Sequence, residues 1–336
     1  MSTDSKPIVY LLGTGGTIAT QGANRMDGTE YGTAGIRAPI QEMLDRVPEA
    51  ADFAQVKAEQ FINVASTGIE LDHWLALAKR INQIFSEEPE VAGVAVTHGT
   101  ATLEETAYFL NLTVKSRKPV VVTGAMRPPT AMGTDADVNL LNAIQTAASP
   151  ESVGRGVVTV LNNEIQAARH VTKTNTYRVE TFKSGEFGFL GYADSDHRVV
   201  YYQSPSRRHT YESEFSVDGL TELPRVEIAY STAGGDGLPV RLFAEAGVSG
   251  IVSAALAPGA SHPDQMDALE TVTKAGIPVV IAAHVGSGRV ILTEGNMERG
   301  YIAGDNLSPK KARILLMLAL TVTRDRGEIQ RMFDTY

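Results

Sequence analysis

The chain has 336 residues, long for one domain and comfortable for two cores of unequal size. Thirty Lys and Arg stand against 39 Asp and Glu, a formal net charge of −9 with no basic stripe, which argues against a nucleic-acid partner. Because there is no cysteine, disulfides, thiolate metal sites and a cysteine nucleophile are all excluded.

The N-terminus carries Asp4 and passes straight into a strand-like run, without the charged region, apolar stretch and small-residue cleavage site of a secretory signal. A cytoplasmic protein is therefore expected. Short runs rich in Val and Ile fall at 8–12, 60–64, 91–97, 119–123 and 156–161, and helical patterns at 71–85, 103–114 and 139–148 lie between them. Runs that are apolar throughout suit strands buried on both faces, the pattern of a parallel sheet with helical crossovers. Between about 201 and 223 the pattern dissolves into Ser, Arg, Asp, Glu and Thr, and Arg207 and Arg208 read there as part of a solvated linker. Alternation resumes with strands at 226–230, 250–254 and 278–282. The apolar segment 314–320 follows Ser308 and Pro309, a helix cap and first-turn pair, and falls far short of the roughly 20 residues that cross a membrane, so it reads as a buried helix. The expected fold is α/β: a larger N-terminal doubly wound, mostly parallel sheet domain over 1–200, a linker over 201–224, and a smaller C-terminal α/β domain over 225–336.

Open α/β sheets bind ligands beyond the carboxyl ends of their strands, so chemistry is sought there. After the first strand comes Gly13-Thr14-Gly15-Gly16-Thr17-Ile18. Ile18 stands where a dinucleotide fingerprint needs its third glycine, and no phosphate-loop lysine follows, so no cofactor is expected. What remains is a tight glycine turn that presents two threonine hydroxyls. The third strand ends in Thr97-His98-Gly99-Thr100-Ala101-Thr102, and Thr102 with Glu105 has capping-box spacing, which predicts a helix start. On spacing alone Thr100 reads as a cap; functionally, it would sit at a helix N-terminus where an anion is stabilised. None of the seven histidines has metal-ligand spacing, so His98 reads as a strand-end histidine satisfying backbone groups, and no metal is expected. Lys173 lies in the hydroxyl-rich run Val171-Thr172-Lys173-Thr174-Asn175; such a lysine is ordinarily solvated, and desolvated beside a hydroxyl it could act as a base.

Taken together, these segments resemble the bacterial L-asparaginases along nearly the whole chain. The similarity is carried by Thr14-Gly15-Gly16-Thr17-Ile18-Ala19, by Thr97-His98-Gly99-Thr100 opening into Leu103-Glu104-Glu105-Thr106, by Gly124-Ala125-Met126-Arg127-Pro128 with Asp135, and by Val171 to Asn175. The resemblance implies an amidohydrolase that turns a small carboxamide, L-asparagine or L-glutamine by default, into a carboxylate and ammonia. It implies Thr17 as the acylated nucleophile on a mobile lid, Tyr31 as its lid-borne partner, Thr100 and Lys173 as a second hydroxyl-base pair, and Ser66 as the holder of the substrate's α-carboxylate. It further implies a homotetramer built of close dimers, in which a neighbour's smaller domain completes each site; no nucleic acid or membrane is involved.

The sequence also departs from the family. Ala101 occupies the position of the aspartate that, in the family, pairs with the substrate's α-ammonium and orients the lysine. Thr67 stands beside Ser66 where glutamine is usual, and Ala257-Pro258-Gly259-Ala260-Ser261 replaces an asparagine-rich segment; Glu294 is matched loosely to a cross-subunit glutamate. Removing a carboxylate from around a buried ammonium leaves that charge unpaired at a cost of several kcal/mol, roughly. Three readings follow: an enzyme still acting on L-asparagine or L-glutamine, an amidase for a related linear or ring amide without the α-amino group, and a binding homologue that no longer turns over. The retained Thr17, Tyr31, Thr100 and Lys173 speak against the third.

Overall fold

A computed structural model describes residues 6–32 and 35–336; Asp4 lies outside them. The chain divides into two compact units, the first ending at Asp218 and the second beginning at Gly219.

The first unit is built on an eight-stranded sheet. In chain order its strands are β1 (Ile8–Gly15), β2 (Gln55–Val64), β3 (Val91–Thr97), β4 (Val120–Thr123), β5 (Val157–Leu161), β6 (Glu164–Ala167), β9 (Gly191–Ala193) and β10 (Val199–Tyr201); β7 (Thr172–Lys173) and β8 (Phe182–Lys183) form a separate small hairpin. Helices α1 (Ile40–Asp45), α2 (Ala50–Phe53), α3 (Leu71–Glu87), α4 (Leu103–Thr113) and α5 (Ala136–Ala148) lie between the strands. The order across the sheet is β10-β9-β6-β5-β4-β3-β1-β2. From β2 to β5 all pairings are parallel, as the uniformly apolar runs predict. β6, β9 and β10 extend the sheet antiparallel. These three strands are too short to show periodicity, which is why the sequence pattern passes over them.

The second unit carries a four-stranded parallel sheet, β11 (Val226–Tyr230), β12 (Gly250–Ala255), β13 (Val279–Ala283) and β14 (Ile302–Ala303), paired in that order. Its helices are α6 (Leu238–Glu245), α7 (Pro263–Lys274), α8 (Glu294–Glu298), α9 (Pro309–Val322) and α10 (Arg326–Thr335). The core joins Ile251, Ile281, Leu269 and Val272 from β12, β13 and α7. The apolar run at 314–320 is the interior of α9: the Ser308 side chain accepts from the Lys311 amide, Pro309 sits in the first turn, and Ile314 to Ala319 are fully buried. Among the described residues no helix is long and apolar enough to cross a membrane.

Most of the stretch 201–224, namely 201–218, belongs to the first unit, and 219–224 opens the second. His209, Thr210, Phe215 and Val217 are buried, and Ser213 donates to the Leu112 carbonyl at 2.6 Å. Single apolar residues scattered among Ser, Glu and Asp anchor an irregular segment without any repeating pattern.

The strand order also locates the site. Read as β2-β1-β3-β4-β5, the sheet reverses direction at β1, so the connections leaving β1 and β3 diverge and open a crevice at their carboxyl ends. There, Gly13 pairs with Thr97 and Gly15 with Val64, so the ends of β1, β2 and β3 lie level.

Leu316, fully buried in α9 beside Gly250 of β12, tests the second core. Leu316→Ala is expected to lower unfolding stability by about 2 to 5 kcal/mol through lost burial and a residual cavity, read from the denaturant midpoint.

Candidate active site

Of the two threonines presented by the glycine turn, only one is available. Thr14 is buried and donates to the Thr97 carbonyl at 2.8 Å, fastening β1 to β3. Thr17 opens a short 3-10 turn over Thr17–Ala19, is partly exposed, and shares a hydrogen bond of 3.1 Å with the Tyr31 hydroxyl.

The turn takes this shape because residue 16 is glycine. Gly16 has φ +82°, and a Cβ added to it would lie 2.2 Å from the Gly99 Cα. Gly99 in turn leaves no room for a side chain, since its Cβ would meet the Ser66 Cβ at 2.6 Å. The loops leaving β1 and β3 therefore touch backbone to backbone, with the Ser66 side chain of the β2 loop against Gly99, and Thr17 and Thr100 flank that contact.

Thr100 does not cap α4. Its buried hydroxyl accepts a hydrogen bond from Lys173 Nζ at 2.8 Å. Lys173 reaches it from the β7–β8 hairpin, where it pairs with Phe182, and Gln166 of β6 donates to the Phe182 carbonyl at 3.1 Å. The helix starts at Leu103 as its spacing predicts, with Thr102 in the cap position, but the capping bond is missing. Thr102 Oγ1 donates instead to the Ser66 carbonyl at 2.9 Å, a tertiary demand that outranks the local motif.

Ser66 is buried, and its Oγ accepts from the Ala101 amide at 3.2 Å. The Ala101 methyl and Thr67 are exposed at the same loops. Two backbone amides that could face a developing oxyanion are already committed, Gly16 N to the Val64 carbonyl and Ala101 N to Ser66. In the second unit, Glu294 is exposed in the first turn of α8. Ser261 is held by Ser231 at 2.8 Å and Ser253 at 3.1 Å, so the 257–261 segment ends in a hydroxyl cluster committed to that unit's own strand ends.

His98 proves to be a brace. Its Nδ1 lies 2.8 Å from the Gly99 carbonyl and its Nε2 2.9 Å from Thr106 Oγ1, while the Trp74 indole N–H donates to the same Thr106 oxygen at 2.8 Å. The Gly99 carbonyl only accepts, so Nδ1 carries the proton, Nε2 accepts from Thr106, and Thr106 accepts from Trp74. Every polar atom in this chain has its partner, and the Gly99 carbonyl is fixed next to Thr100. Trp74 and Thr106 carry no linear signature of this role, because the relay crosses from α3 to α4 to β3. Asp135 steadies the neighbouring loop by accepting from the Met126 and Arg127 amides at 2.9 Å each and from Asn139 Nδ2 at 3.0 Å.

Two hydroxyls, each with a polar partner, thus stand on adjoining strand ends, an arrangement that suits acyl transfer through a hydroxyl nucleophile. Comparison with known proteins identifies the family. Residues 8–207 match the family model described as Asparaginase, N-terminal, and residues 225–333 match the Glutaminase/Asparaginase C-terminal domain. The chain is 44% identical over 330 residues to L-asparaginase 2 of Bacillus subtilis, covering 98% of this chain and 87% of that one. It is 38% identical to the glutaminase-asparaginase of Pseudomonas fluorescens, covering 98% and 90%. Among solved structures, the probable cytoplasmic L-asparaginase of Campylobacter jejuni superposes with a TM-score of 0.94 at 41% identity, covering 98% of this chain and all of that one. This chain belongs to the asparaginase family.

Burial holds the His98 imidazole neutral, lowering its pKa from 6.5 to about 4 against a smaller opposing effect of its bond to Gly99. The unfolded chain therefore takes up this proton first as pH falls. Stability should be undiminished by His98 above pH 6.5 and should decline between 6.5 and about 4, by roughly 3 kcal/mol over the window. Denaturant midpoints measured across that range should show the decline in the wild type and lose this component in His98→Gln.

Proposed function

We propose that this protein hydrolyses small carboxamides to carboxylates and ammonia through an acyl-enzyme on Thr17, with L-asparagine or L-glutamine as substrate. The observation that carries the reading is the pair of hydroxyl contacts, Thr17 with Tyr31 and Thr100 with Lys173, on loops pressed together at Gly16 and Gly99. Thr17 Oγ1 attacks the amide carbon while its proton is relayed through the Tyr31 hydroxyl, which passes its own proton on to the leaving nitrogen; the C–N bond breaks and ammonia departs, leaving the Thr17 ester. Water then adds to the Thr17 ester, assisted by the Thr100 and Lys173 pair, and the carboxylate departs. Ser66, buried at the loop contact, holds the substrate's carboxylate end.

A second reading is favoured by one feature. Ala101 presents a methyl where the family has an aspartate, and Thr67 stands where glutamine is usual, so the pocket suits an amide without an α-ammonium. As the family resemblance implies, the assembly is a tetramer of close dimers in which a partner subunit's smaller domain completes the site, and sedimentation velocity checks its mass.

Ammonia release from L-asparagine, L-glutamine and succinamate tests both readings. Thr17→Ala should abolish turnover of every accepted amide, by on the order of 10³-fold or more; unchanged hydrolysis would remove the nucleophile. Ala101→Asp should shift preference towards amides bearing an α-amino group by roughly 10- to 100-fold, the worth of one charge-assisted hydrogen bond. If the wild type already prefers L-asparagine to succinamate, the second reading is discarded.

A further inference from the structure

The segment carrying Tyr31 leaves and rejoins the body at one point. Thr20 and Arg37 form an antiparallel bridge, Gln21 N donates to the Ile36 carbonyl at 3.0 Å, and Ala38 N donates to the Ala19 carbonyl at 2.8 Å. Beyond this base the excursion is braced internally by Asp27, whose carboxylate accepts from the Glu30 amide at 2.8 Å and the Ala23 amide at 3.3 Å. Nothing in these bonds ties the excursion to the rest of the unit. Besides the Gln21 side chain, which donates to Glu42 at 3.2 Å, and the Thr17 to Tyr31 contact, ties come from the loop after β4: Thr130 Oγ1 accepts from the Gly22 amide at 2.8 Å, and Met132 N donates to the Arg25 carbonyl at 2.9 Å. The loop is itself rigid, because Asp135 grips its Met126 and Arg127 amides and Arg127 Nη1 donates to the Gly133 carbonyl at 2.6 Å. Gly22 fits closely here, since a Cβ on it would lie 3.1 Å from Thr130 Oγ1 and 3.3 Å from Asp27 Oδ2.

We propose that Thr130 is a positioning residue for the reaction: its hydroxyl latches the Tyr31-bearing segment to the β4 loop and so holds the Tyr31 hydroxyl against Thr17. The latch touches neither reacting hydroxyl. It acts by restricting the segment to the arrangement in which the 3.1 Å contact between Thr17 and Tyr31 exists, which lowers the entropy lost on reaching the reactive geometry. The Met132 amide bond is the second half of the latch, made by backbone and therefore insensitive to side-chain changes. The inference rests on the proposed role of Thr17 and Tyr31.

Steady-state kinetics on the best amide substrate, with the full-length protein, test it. Thr130→Val keeps the shape and removes the acceptor; kcat should fall about tenfold, the value of one hydrogen bond, with KM changed less than kcat. Thr130→Ser restores the acceptor and should recover activity to within about twofold of the wild type, an order-of-magnitude bound. On a Tyr31→Phe background, Thr130→Val should cause no further loss, because the latch then has no hydroxyl to position. A Thr130→Val enzyme as active as the wild type, a Ser variant as impaired as Val, or full additivity with Tyr31→Phe each overturns the proposal. Thr17→Ala, assayed alongside, separates the two failures: if it abolishes turnover while Thr130 is indifferent, only the latch is lost, and if it leaves turnover intact, the role of Thr17 itself is wrong.

Discussion

The near-contact of Gly16 and Gly99 is the constraint on which the rest of the site depends. A separation that leaves no room for a Cβ on either residue brings the loops after β1 and β3 together, with Ser66 of the β2 loop against them. Backbones can approach this closely only where glycine stands on both sides. The parallel sheet makes the approach possible by setting three strand ends level at the point where the strand order reverses. Without the reversal, the loops after β1 and β3 would cross to the same side and leave no crevice.

Around that contact the hydroxyl groups divide into two kinds. Thr14, Thr102 and Thr106 are each engaged with a backbone or ring partner and hold the loops in place. Thr17 and Thr100 each meet a side chain, Tyr31 and Lys173, that can exchange a proton. A structural hydroxyl is satisfied by a fixed acceptor, whereas a reactive one needs a partner able to change its protonation state. The brace from Trp74 through His98 belongs to the first kind, and burial keeps its imidazole neutral so that it donates in one direction only.

Several features could be read from residue order. The all-apolar runs of β1, β3, β4 and β5 announce parallel strands, and Ser308 with Pro309 announces the start of α9. The glycine turn and the Thr97 to Thr100 motif also point to the strand ends that carry the site. Three things were hidden for physical reasons. β6, β9 and β10 are too short for a period to register, the segment around Phe215 is anchored by isolated residues, and the Thr102 capping bond gives way to one with Ser66.

The sequence by itself determined the fold class, the family resemblance and the identity of the candidate hydroxyls, because these depend on local pattern and on residue types at fixed spacing. Only the tertiary structure decided which threonine meets a tyrosine hydroxyl and which is tied to a backbone carbonyl, and that Lys173 meets Thr100 across 73 positions of chain. It alone also disclosed the ties from Trp74 to His98 and from Thr130 to Gly22. A hydroxyl's role is set by what it faces, and what it faces is fixed by long-range packing of elements that no spacing along the chain records.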